Sequence, residues 1–472
     1  MATLPIDPLQ EGGLTQFYQD FRSGTVSSEQ VTQAYLTRIE HLDPRLQAYE
    51  YVDAKQALET AKAMDRLIAS GVDLGPLMGV PIAIKDIFTI HQMPAPRAGS
   101  LLPLHELAGE KEGSFIQALR RLGCVFLGQT KAVELCLGIT GVSAPLGTPW
   151  NPWDSTSQRV PGGSSSGSSV AVSAGLCAFA IGSDSGGSVR APASFNGIFG
   201  FKTTFGAWPT DGVIPLDPRV DSLGLLTKSA VDAQTAYHAI SSQLYGYQYD
   251  ATPIPINLNR LRFGIPTNYF NDNLPESTLT ALATAQKALS KNGIQFDEIT
   301  IQGANEREGY FPLSMPASIV AAVGKQVLDD GAQKMDPIVR ARVESGYQVS
   351  AADLLAAEEK RQKSIKQVKP IFNEFDAVVS ATTVDIAPKL SQFDDADEAL
   401  RLALGMTRNT QPANYLEFCA VSLPLPRSEG ELPLGYQLMG KAGDDARLLA
   451  IAVAVESVFG RSTSPDLIHF MS

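Results

Sequence analysis

The strongest constraint on the fold is the regular alternation of short apolar strands with helical segments along the chain. A helix that begins with the capping pair Ser27 and Gln30 is followed by a second helix and then by the apolar strand 80–84. The same order returns in the C-terminal half, where helices separate the strands predicted at 294–301 and 376–382. Such alternation predicts an α/β protein with a mostly parallel sheet and helices on both faces.

We predict one large domain over residues 1–472, because no segment has the composition of a domain linker and no internal repeat is visible. Residues 1–70 are expected to form N-terminal helices packed on this domain. Residues 79–205 carry the core motifs, and residues 206–472 supply the remaining strands, the pocket loops and the C-terminal helix. Two loop-rich stretches are expected to be surface excursions: 242–256 and 385–412.

Composition and charge exclude several classes of protein. The net charge is −12, and no basic run is longer than two residues, whereas phosphate binding needs clustered Lys and Arg. No secretory signal begins the sequence, and no run of about 18 apolar residues predicts a membrane span. The four cysteines form no CxxC pair and have no zinc-like spacing with the histidines. We therefore expect a cytoplasmic protein with reduced thiols, without nucleic-acid or membrane partners and without a bound metal.

A run composed only of Gly and Ser, residues 162–169, leads directly into the apolar segment 170–182. A flexible linker would not be followed at once by a segment that must be buried, so the run is expected to lie against the core. Glycine there permits backbone conformations that are closed to other residues. The serine hydroxyls in the run then become candidates for catalysis.

Residues 163–167 also fit the pattern G-x-S-x-G, the nucleophile elbow of α/β-hydrolases, with Ser165 as the nucleophile. That interpretation needs a strand before the motif, but the preceding residues form a loop. It also needs a downstream catalytic histidine, and neither His238 nor His469 lies in a motif-like context. The elbow is therefore the weaker hypothesis.

A second Gly/Ser segment, Gly182 to Ser188, follows a buried strand, and a helix is predicted to start at Ser188. Successive N–H groups in such a turn form an anion-binding nest. A serine beside them places a nucleophile next to oxyanion donors, as acyl transfer requires. Lys85, at the end of strand 80–84, is the best candidate base, because desolvation lowers the pKa of a lysine and allows it to be neutral.

Three segments in this order resemble the motifs of the amidase signature family: GVPIAIKD, PGGSSSGSS and GSDSGGSVRAPASFNGIFGFK. The resemblance extends to NPWD, FDAVVSATTVDIAP and LPLGYQLMG, and so covers nearly the whole chain. It implies a large twisted mixed sheet covered by helices, and hydrolysis of amides by a Ser–cis-Ser–Lys triad. The chain departs from the family's more common residues at positions 166, 185 and 203, where it has Ser, Ser and Thr, and no departure removes a catalytic group.

By this resemblance Lys85 is the base, Ser164 is the bridging serine after a cis peptide bond, and Ser188 is the nucleophile. The oxyanion hole is expected from backbone N–H groups of one loop: Ser185, Gly186, Gly187 and Ser188. Supporting roles are expected for Ser165, Asp184 and Arg190. The resemblance implies neither a cofactor nor a metal, and it leaves a homodimer open.

The expected reaction is hydrolysis of a small or aryl amide, or of a carbamate-like acyl bond, through an acyl-enzyme on Ser188. The alternative function is the catalytic subunit of a tRNA-dependent amidotransferase, which needs partner proteins and an ammonia acceptor. The substrate pocket is expected from three loops whose apolar character suggests an apolar or aryl group: Leu137–Ala144, Asp211–Ile214 and Pro312–Val323.

A thiol amidase of the nitrilase type is a chemical rival. It would need a reactive cysteine in electropositive surroundings, together with a Glu and a Lys. Cys136 and Cys177 both lie in apolar runs, and we predict that both are inert.

Overall fold

The computed structural model describes residues 4–10, 12–247 and 254–471. Within these ranges the strands are β1 (Tyr49–Val52), β2 (Pro81–Lys85), β3 (Val125–Thr130), β4 (Phe179–Asp184), β5 (Phe199–Lys202), β6 (Ser222–Thr227), β7 (Arg262–Pro266), β8 (Gln295–Ile299), β9 (Ala377–Ala381), β10 (Cys419–Pro424) and β11 (Gly435–Gly440).

The helices before β7 are α1 (Gly13–Ser23), α2 (Ser28–Leu46), α3 (Ala54–Ala69), α4 (His105–Ala108), α5 (Ser114–Arg121), α6 (Ser166–Ser173), α7 (Arg190–Asn196) and α8 (Ala230–Tyr245). Those after it are α9 (Glu276–Lys291), α10 (Arg307–Val323), α11 (Lys325–Gly331), α12 (Pro337–Ser345), α13 (Ala351–Val368), α14 (Ala396–Arg408), α15 (Gln411–Tyr415) and α16 (Asp445–Phe459).

All the strands of the described residues belong to one eleven-stranded sheet, in the order β1-β3-β2-β4-β6-β5-β10-β11-β9-β7-β8. Every residue of β2, β3, β4, β6, β9 and β11 is buried. Because successive side chains of a strand point to opposite faces, complete burial means that both faces of the sheet are covered. The predicted single α/β domain with a mixed sheet is therefore confirmed.

The prediction of a mostly parallel sheet is wrong. Within the described residues, the neighbouring strands form four parallel pairs (β2/β3, β2/β4, β7/β8 and β7/β9) and six antiparallel pairs. Five of these six antiparallel pairs involve β1, β6 or β10, strands that the alternation of helix and strand in the sequence did not reveal. Parallel pairing is limited to two groups of three strands, one toward each side of the sheet.

The strand register brings several loops to one edge of the sheet. Strand β2 lies between β3 and β4 and is parallel to both, with Lys85 opposite Thr130, so their carboxyl ends meet at this edge. Strand β6 is antiparallel to β4, with Asp184 opposite Ser222. The loop that enters β6 therefore lies beside the loop that leaves β4.

Several local predictions need correction. The stretch 385–412 contains α14 and reaches the buried residues Asn409 and Thr410, so it is not merely a surface excursion. Pro312–Val323 belongs to α10, which is a helix and not a loop. Helix α7 begins at Arg190, two residues after the predicted start. The stretch 242–256 lies partly outside the described residues.

Among the described helices, none alone is long and apolar enough to cross a membrane. One pair, Ala304–Val323 with Lys325–Lys334, meets the length and composition criteria together but is bent by 91°.

Candidate active site

Lys85 is the last residue of β2, and its side chain is buried. The amine donates hydrogen bonds to the Ser164 hydroxyl, with Nζ and Oγ 2.7 Å apart, and to the Ser183 hydroxyl at 2.9 Å. Ser164 lies in the Gly/Ser run, and Ser183 lies near the end of β4. The buried amine therefore joins the two Gly/Ser segments that the sequence singled out.

Burial lowers the pKa of Lys85, because the charged ammonium loses its hydration. The Cys136 thiol and the carboxylates of Asp221 and Asp184 oppose this effect and raise the pKa in part. Asp86, the acid next to Lys85 in sequence, is not among these groups; burial raises its own pKa to about 7. The local sequence thus indicated desolvation correctly but not the two acids that approach from distant segments.

The peptide bond between Gly163 and Ser164 is cis, as the resemblance implies. A side chain at position 163 would be crowded, because a Cβ there would lie 2.9 Å from the Gly141 nitrogen and 3.0 Å from the Gly138 oxygen. The Ser164 carbonyl accepts a hydrogen bond from the Val133 N–H at 3.1 Å. Backbone of the segment after β3 thus encloses the Gly/Ser run.

Ser165 is buried and fully engaged with β4. Its hydroxyl lies 3.3 Å from both the N–H and the carbonyl oxygen of Ser183. No strand directly precedes residues 163–167 in the described chain, and the segment before them is irregular apart from one isolated bridge at Arg159. The nucleophile-elbow hypothesis for Ser165 therefore lacks both the strand and the exposed hydroxyl that it needs.

Ser188 follows β4 at the same edge of the sheet, and its backbone touches the Gly/Ser run. The Ser165 N–H donates to the Ser188 carbonyl oxygen at 3.2 Å. In the described part of the chain, neither the Ser188 N–H nor the Gly186 N–H makes a hydrogen bond within the protein. These two donors are free to bind an anion next to the Ser188 hydroxyl.

Gly187 does not fit its predicted place among the oxyanion donors. Its N–H donates to the Asp184 carboxylate at 2.7 Å and is therefore already occupied. Its φ angle is 123°, and a Cβ at this position would lie 2.2 Å from the Thr410 Oγ1 atom. Close packing thus leaves no room for a side chain at Gly187, and its N–H, predicted as an oxyanion donor, is bonded to Asp184.

Two of the three predicted supporting residues, Asp184 and Arg190, form a buried bidentate ion pair, at 3.0 Å and 2.9 Å. Burial alone would raise the pKa of Asp184, but the Arg190 guanidinium holds it well below its usual range. Asp184 also accepts a hydrogen bond from the Val189 N–H at 3.2 Å. The carboxylate therefore fixes the turn between β4 and α7 from inside.

Two contacts to this turn come from distant residues that no local sequence pattern indicates. The Ser185 hydroxyl donates to Asp221, just before β6, and burial raises the pKa of Asp221. The Thr410 hydroxyl donates to the Gly186 carbonyl at 2.9 Å. Neither Asp221 nor Thr410 lies in a motif, so only strand order and chain path could reveal them.

Cys136 lies closer to the site than its apolar run indicated. Its thiol is among the groups that interact with the Lys85 amine. Leu135 and Cys136 both have positive φ angles, 52° and 56°, in the segment that also encloses the cis peptide. Burial raises the pKa of the Cys177 thiol far above its usual range, in agreement with its predicted inertness. The carboxylate of Glu134 is occupied by Ser100 and the Asp336 N–H.

Two of the segments predicted to form the pocket can be placed near the site. Met315 of α10 lies beside the loop, because its Cε would be 3.3 Å from a Cβ on Gly186. The Leu137 carbonyl accepts a hydrogen bond from Arg342 of α12 at 2.8 Å. Arg342 is exposed to solvent, and desolvation by the surrounding protein lowers the pKa of its guanidinium.

A cavity of about 430 Å³ lies apart from this site. It is lined by Lys228, which follows the carboxyl end of β6, and by residues near the start of α1. Because β6 is antiparallel to β4, this cavity opens at the opposite edge of the sheet.

The family model for amidases matches residues 30–449. The chain is 34% identical over 431 residues to a 2-amino-5-chloromuconic acid deaminase of Comamonas testosteroni, an alignment that covers 90% of this chain and 92% of that protein. It is 31% identical to a glutamyl-tRNA(Gln) amidotransferase component of Acidothermus cellulolyticus, over 94% of each chain. A crystal structure of an amidase, 28% identical, superposes with a TM-score of 0.84 and covers 95% of this chain and 100% of that one. The chain therefore belongs to the amidase family and is a hydrolase that acts on the carbon–nitrogen bonds of amides.

Proposed function

We propose that Lys85, Ser164 and Ser188 form the catalytic triad, and that the enzyme hydrolyses a small or aryl amide through an acyl-enzyme on Ser188. The observation that carries this proposal is the 2.7 Å hydrogen bond between the buried Lys85 amine and the Ser164 hydroxyl. A buried amine whose pKa is lowered and which faces a hydroxyl is suited to accept a proton.

In the first half of the reaction, neutral Lys85 accepts the Ser164 proton while Ser164 accepts the proton of Ser188. The Ser188 Oγ atom bonds to the acyl carbon, and the carbonyl oxygen becomes an oxyanion. The proton then returns along the relay to the leaving nitrogen, the C–N bond breaks, and the amine departs.

In the second half, water takes the place of the amine, loses a proton along the same relay and bonds through its oxygen to the acyl carbon. The resulting tetrahedral species expels the Ser188 oxygen, which regains its proton, and the acid is released. In both halves the oxyanion is stabilised by the free N–H groups of Gly186 and Ser188, with Ser185 as a further donor from the predicted set.

Substrate preference is proposed from the walls of the site. Met315 provides an apolar contact next to Gly186, which suits an aryl or alkyl acyl group. Among the described residues, no acidic side chain forms a hydrogen bond or an ion pair with Arg342. Its guanidinium is therefore a candidate anchor for a substrate carboxylate. The name of the 2-amino-5-chloromuconic acid deaminase is consistent with an acidic substrate.

The proposed setting is the cytoplasm, without a nucleic-acid or membrane partner. The four cysteines are free thiols and are buried, and the net charge of −12 does not favour a polyanionic partner. A homodimer remains compatible with this proposal.

The alternative, a component of an amidotransferase, is favoured by the similarity to the Acidothermus cellulolyticus protein. The two functions differ in their need for partners. The purified chain alone should hydrolyse simple aryl amides, whereas an amidotransferase component should require partner proteins and an ammonia acceptor for efficient turnover.

The experiment that tests the triad combines a Ser188→Ala variant with a serine-directed fluorophosphonate. We expect the reagent to label Ser188 in the wild type, and the variant to lose amide turnover by a factor on the order of 10⁴ or more while its melting temperature is nearly unchanged. Labelling of Ser165 together with an active Ser188→Ala enzyme would contradict the triad. Ser165→Ala is not a matched control, because Ser165 braces β4; Ser457→Ala, at an exposed serine outside the relay, serves instead.

A further inference from the structure

The direction of each N–H group in the loop from Ser185 to Ser188 depends on the carbonyl of the residue before it. In a trans peptide the C=O and N–H bonds point in opposite directions. A group that holds a carbonyl on one side of the loop therefore turns the following N–H toward the other side. Two carbonyls of this loop, those of Asp184 and Gly186, are held by side chains.

Asn414 holds the first of these carbonyls. Its Nδ2 atom donates to the Asp184 carbonyl oxygen at 3.0 Å and to the Asp184 carboxylate at 2.9 Å. The Ser185 N–H belongs to the same peptide group as this carbonyl, so it points away from Asn414. Asn414 itself is buried in α15, where its position is fixed.

Thr410 holds the second carbonyl. Its hydroxyl lies 2.9 Å from the Gly186 carbonyl oxygen and 3.3 Å from the Thr407 carbonyl, so Gly186 is the closer acceptor. On the other side of the same peptide group, the Gly187 N–H donates to Asp184. The Gly186–Gly187 peptide plane is thus clamped at both ends.

Arg190 links the two side chains to the loop. Its guanidinium donates to the Thr410 carbonyl at 2.8 Å and to the Asn414 Oδ1 atom at 2.6 Å, while it pairs with Asp184. All four residues are buried. A segment at least 220 positions later in the chain is therefore connected to the loop by hydrogen bonds with defined directions.

We infer that Thr410 and Asn414 are positioning residues that aim the oxyanion donors of the Ser185–Ser188 loop. This inference rests on the proposed function, in which that loop binds the oxyanion. Neither residue contacts the reacting atoms. Asn414 directs the Ser185 N–H through the Asp184 carbonyl, and Thr410 fixes the Gly186–Gly187 peptide, which lies between the free N–H groups of Gly186 and Ser188. The inference is specific, because it assigns the effect to one hydroxyl and one amide and not to the general packing of α14 and α15.

The first test is Thr410→Val, which removes the hydroxyl and keeps a similar shape. Complete loss of an oxyanion donor costs about 10²–10³ in turnover number, and a misdirected donor should cost less. We expect kcat per phosphonate-titrated site to fall by about 10- to 100-fold, with KM changed by less than about threefold. The affinity for a trifluoromethyl ketone, which forms a tetrahedral adduct, should fall in parallel with kcat/KM.

Two controls separate positioning from folding. Thr410→Ser retains the hydroxyl and should restore kcat to within about threefold of the wild type. Thr407→Val removes a hydroxyl that is bonded to the Leu404 carbonyl in the same segment, and it should leave kcat unchanged. The pH dependence of kcat/KM should be the same in all three variants, because Lys85 is not altered. Should Thr410→Val yield no folded enzyme, Thr410→Ala and Asn414→Ala carry the same test.

The outcomes are distinct. A Thr410→Val or Thr410→Ala enzyme with wild-type kcat per titrated site would overturn the inference, as would failure of Thr410→Ser to restore activity. Equal losses in ketone affinity and in binding of the product acid would indicate a merely structural role and would also overturn it. If the phosphonate fails to label Ser188 in the wild type, the proposed function fails first, and this result is independent of the variants.

Discussion

Two buried strand ends of the sheet carry the same residue type in different surroundings. Lys85 ends β2 and Lys202 ends β5, both are at most 1% exposed, and burial lowers the pKa of both, to about 8 for Lys202. Lys85 donates to two serine hydroxyls, whereas Lys202 donates to the Thr203 carbonyl at 2.7 Å. Burial alone therefore does not identify a base: a hydroxyl can pass its proton to the amine, and a carbonyl oxygen has no proton to give.

The largest expected difference in activity comes from substituting each of these two lysines in turn. Lys85→Arg should reduce kcat by a factor on the order of 10⁴, because the guanidinium remains protonated and cannot accept the Ser164 proton. Lys202→Met should keep kcat within about threefold and change the free energy of unfolding by about 2 kcal/mol or less, since it removes a hydrogen bond and also a buried charge. Steady-state kinetics and chemical denaturation measure both. Near-normal turnover in Lys85→Arg would show that Lys85 is not the base.

The pH dependence of kcat/KM distinguishes the same two lysines. The base must be neutral, so activity should rise about tenfold per pH unit below the pKa of Lys85 and level off above it. Because burial lowers that pKa, the plateau should be reached below the ordinary lysine value of 10.5. Lys202→Met should leave the profile unchanged. A profile governed by one group near pH 6.5 in both wild type and Lys85→Arg would instead indicate a histidine base.

Arg342 differs from both lysines in its charged neighbours. Acidic groups lie within electrostatic range of Lys85 and of Lys202, whereas Arg342 has no acidic partner in the described residues. Arg342→Met should raise KM by about 10- to 100-fold for an anilide whose acyl group ends in a carboxylate, the usual range for loss of a charged hydrogen bond. KM for the uncharged anilide of similar size should change less than about threefold. Equal changes for the two substrates would show that Arg342 does not bind the carboxylate.

The smallest expected effect concerns the thiols, since each lysine has a cysteine among the groups that interact with it: Cys136 near Lys85 and Cys419 near Lys202. If Ser188 is the nucleophile, Cys136→Ala and its matched control Cys419→Ala should both retain kcat within about threefold. The Cys136→Ala enzyme should also still be labelled by the phosphonate. If Cys136→Ala lost all turnover while Cys419→Ala and Ser188→Ala remained active, the result would favour the thiol amidase hypothesis.

The sequence predicted most of what lies along single segments. The strand that ends in Lys85 and the capping box at Ser27 appear in the structure as predicted. The buried helix predicted to follow the Gly/Ser run is also present, but it begins within the run, at Ser166. Each depends on a local pattern of apolar residues and caps. The contact between Lys85 and Ser164 followed only from the family resemblance, because nothing local relates residues 79 positions apart.

What the sequence could not provide are the contacts that the sheet order creates. Asp221 reaches Ser185 because β6 returns antiparallel beside β4, and Thr410 reaches Gly186 because of where α15 lies. The hydrogen bond from the Gly187 N–H to Asp184 was equally unpredictable. A Gly-Gly pair predicts a tight turn, but it does not predict which N–H group of that turn will donate to the Asp184 carboxylate. Such directions depend on the folded path of the whole chain.

The order of the strands has a consequence for how the enzyme is made. Strand β10 pairs with β5, and β11 joins β10 to β9, so the middle of the sheet closes only when residues near 440 are available. Contacts of such long sequence separation form slowly, because a large loop must close before they contribute. The Ser185–Ser188 loop also lacks the hydrogen bonds from Thr410 and Asn414 until that segment has been made. During synthesis from the N-terminus, Ser188 is therefore made long before the residues that fix its loop. We expect hydrolytic activity to appear in one late step and not gradually as the chain lengthens.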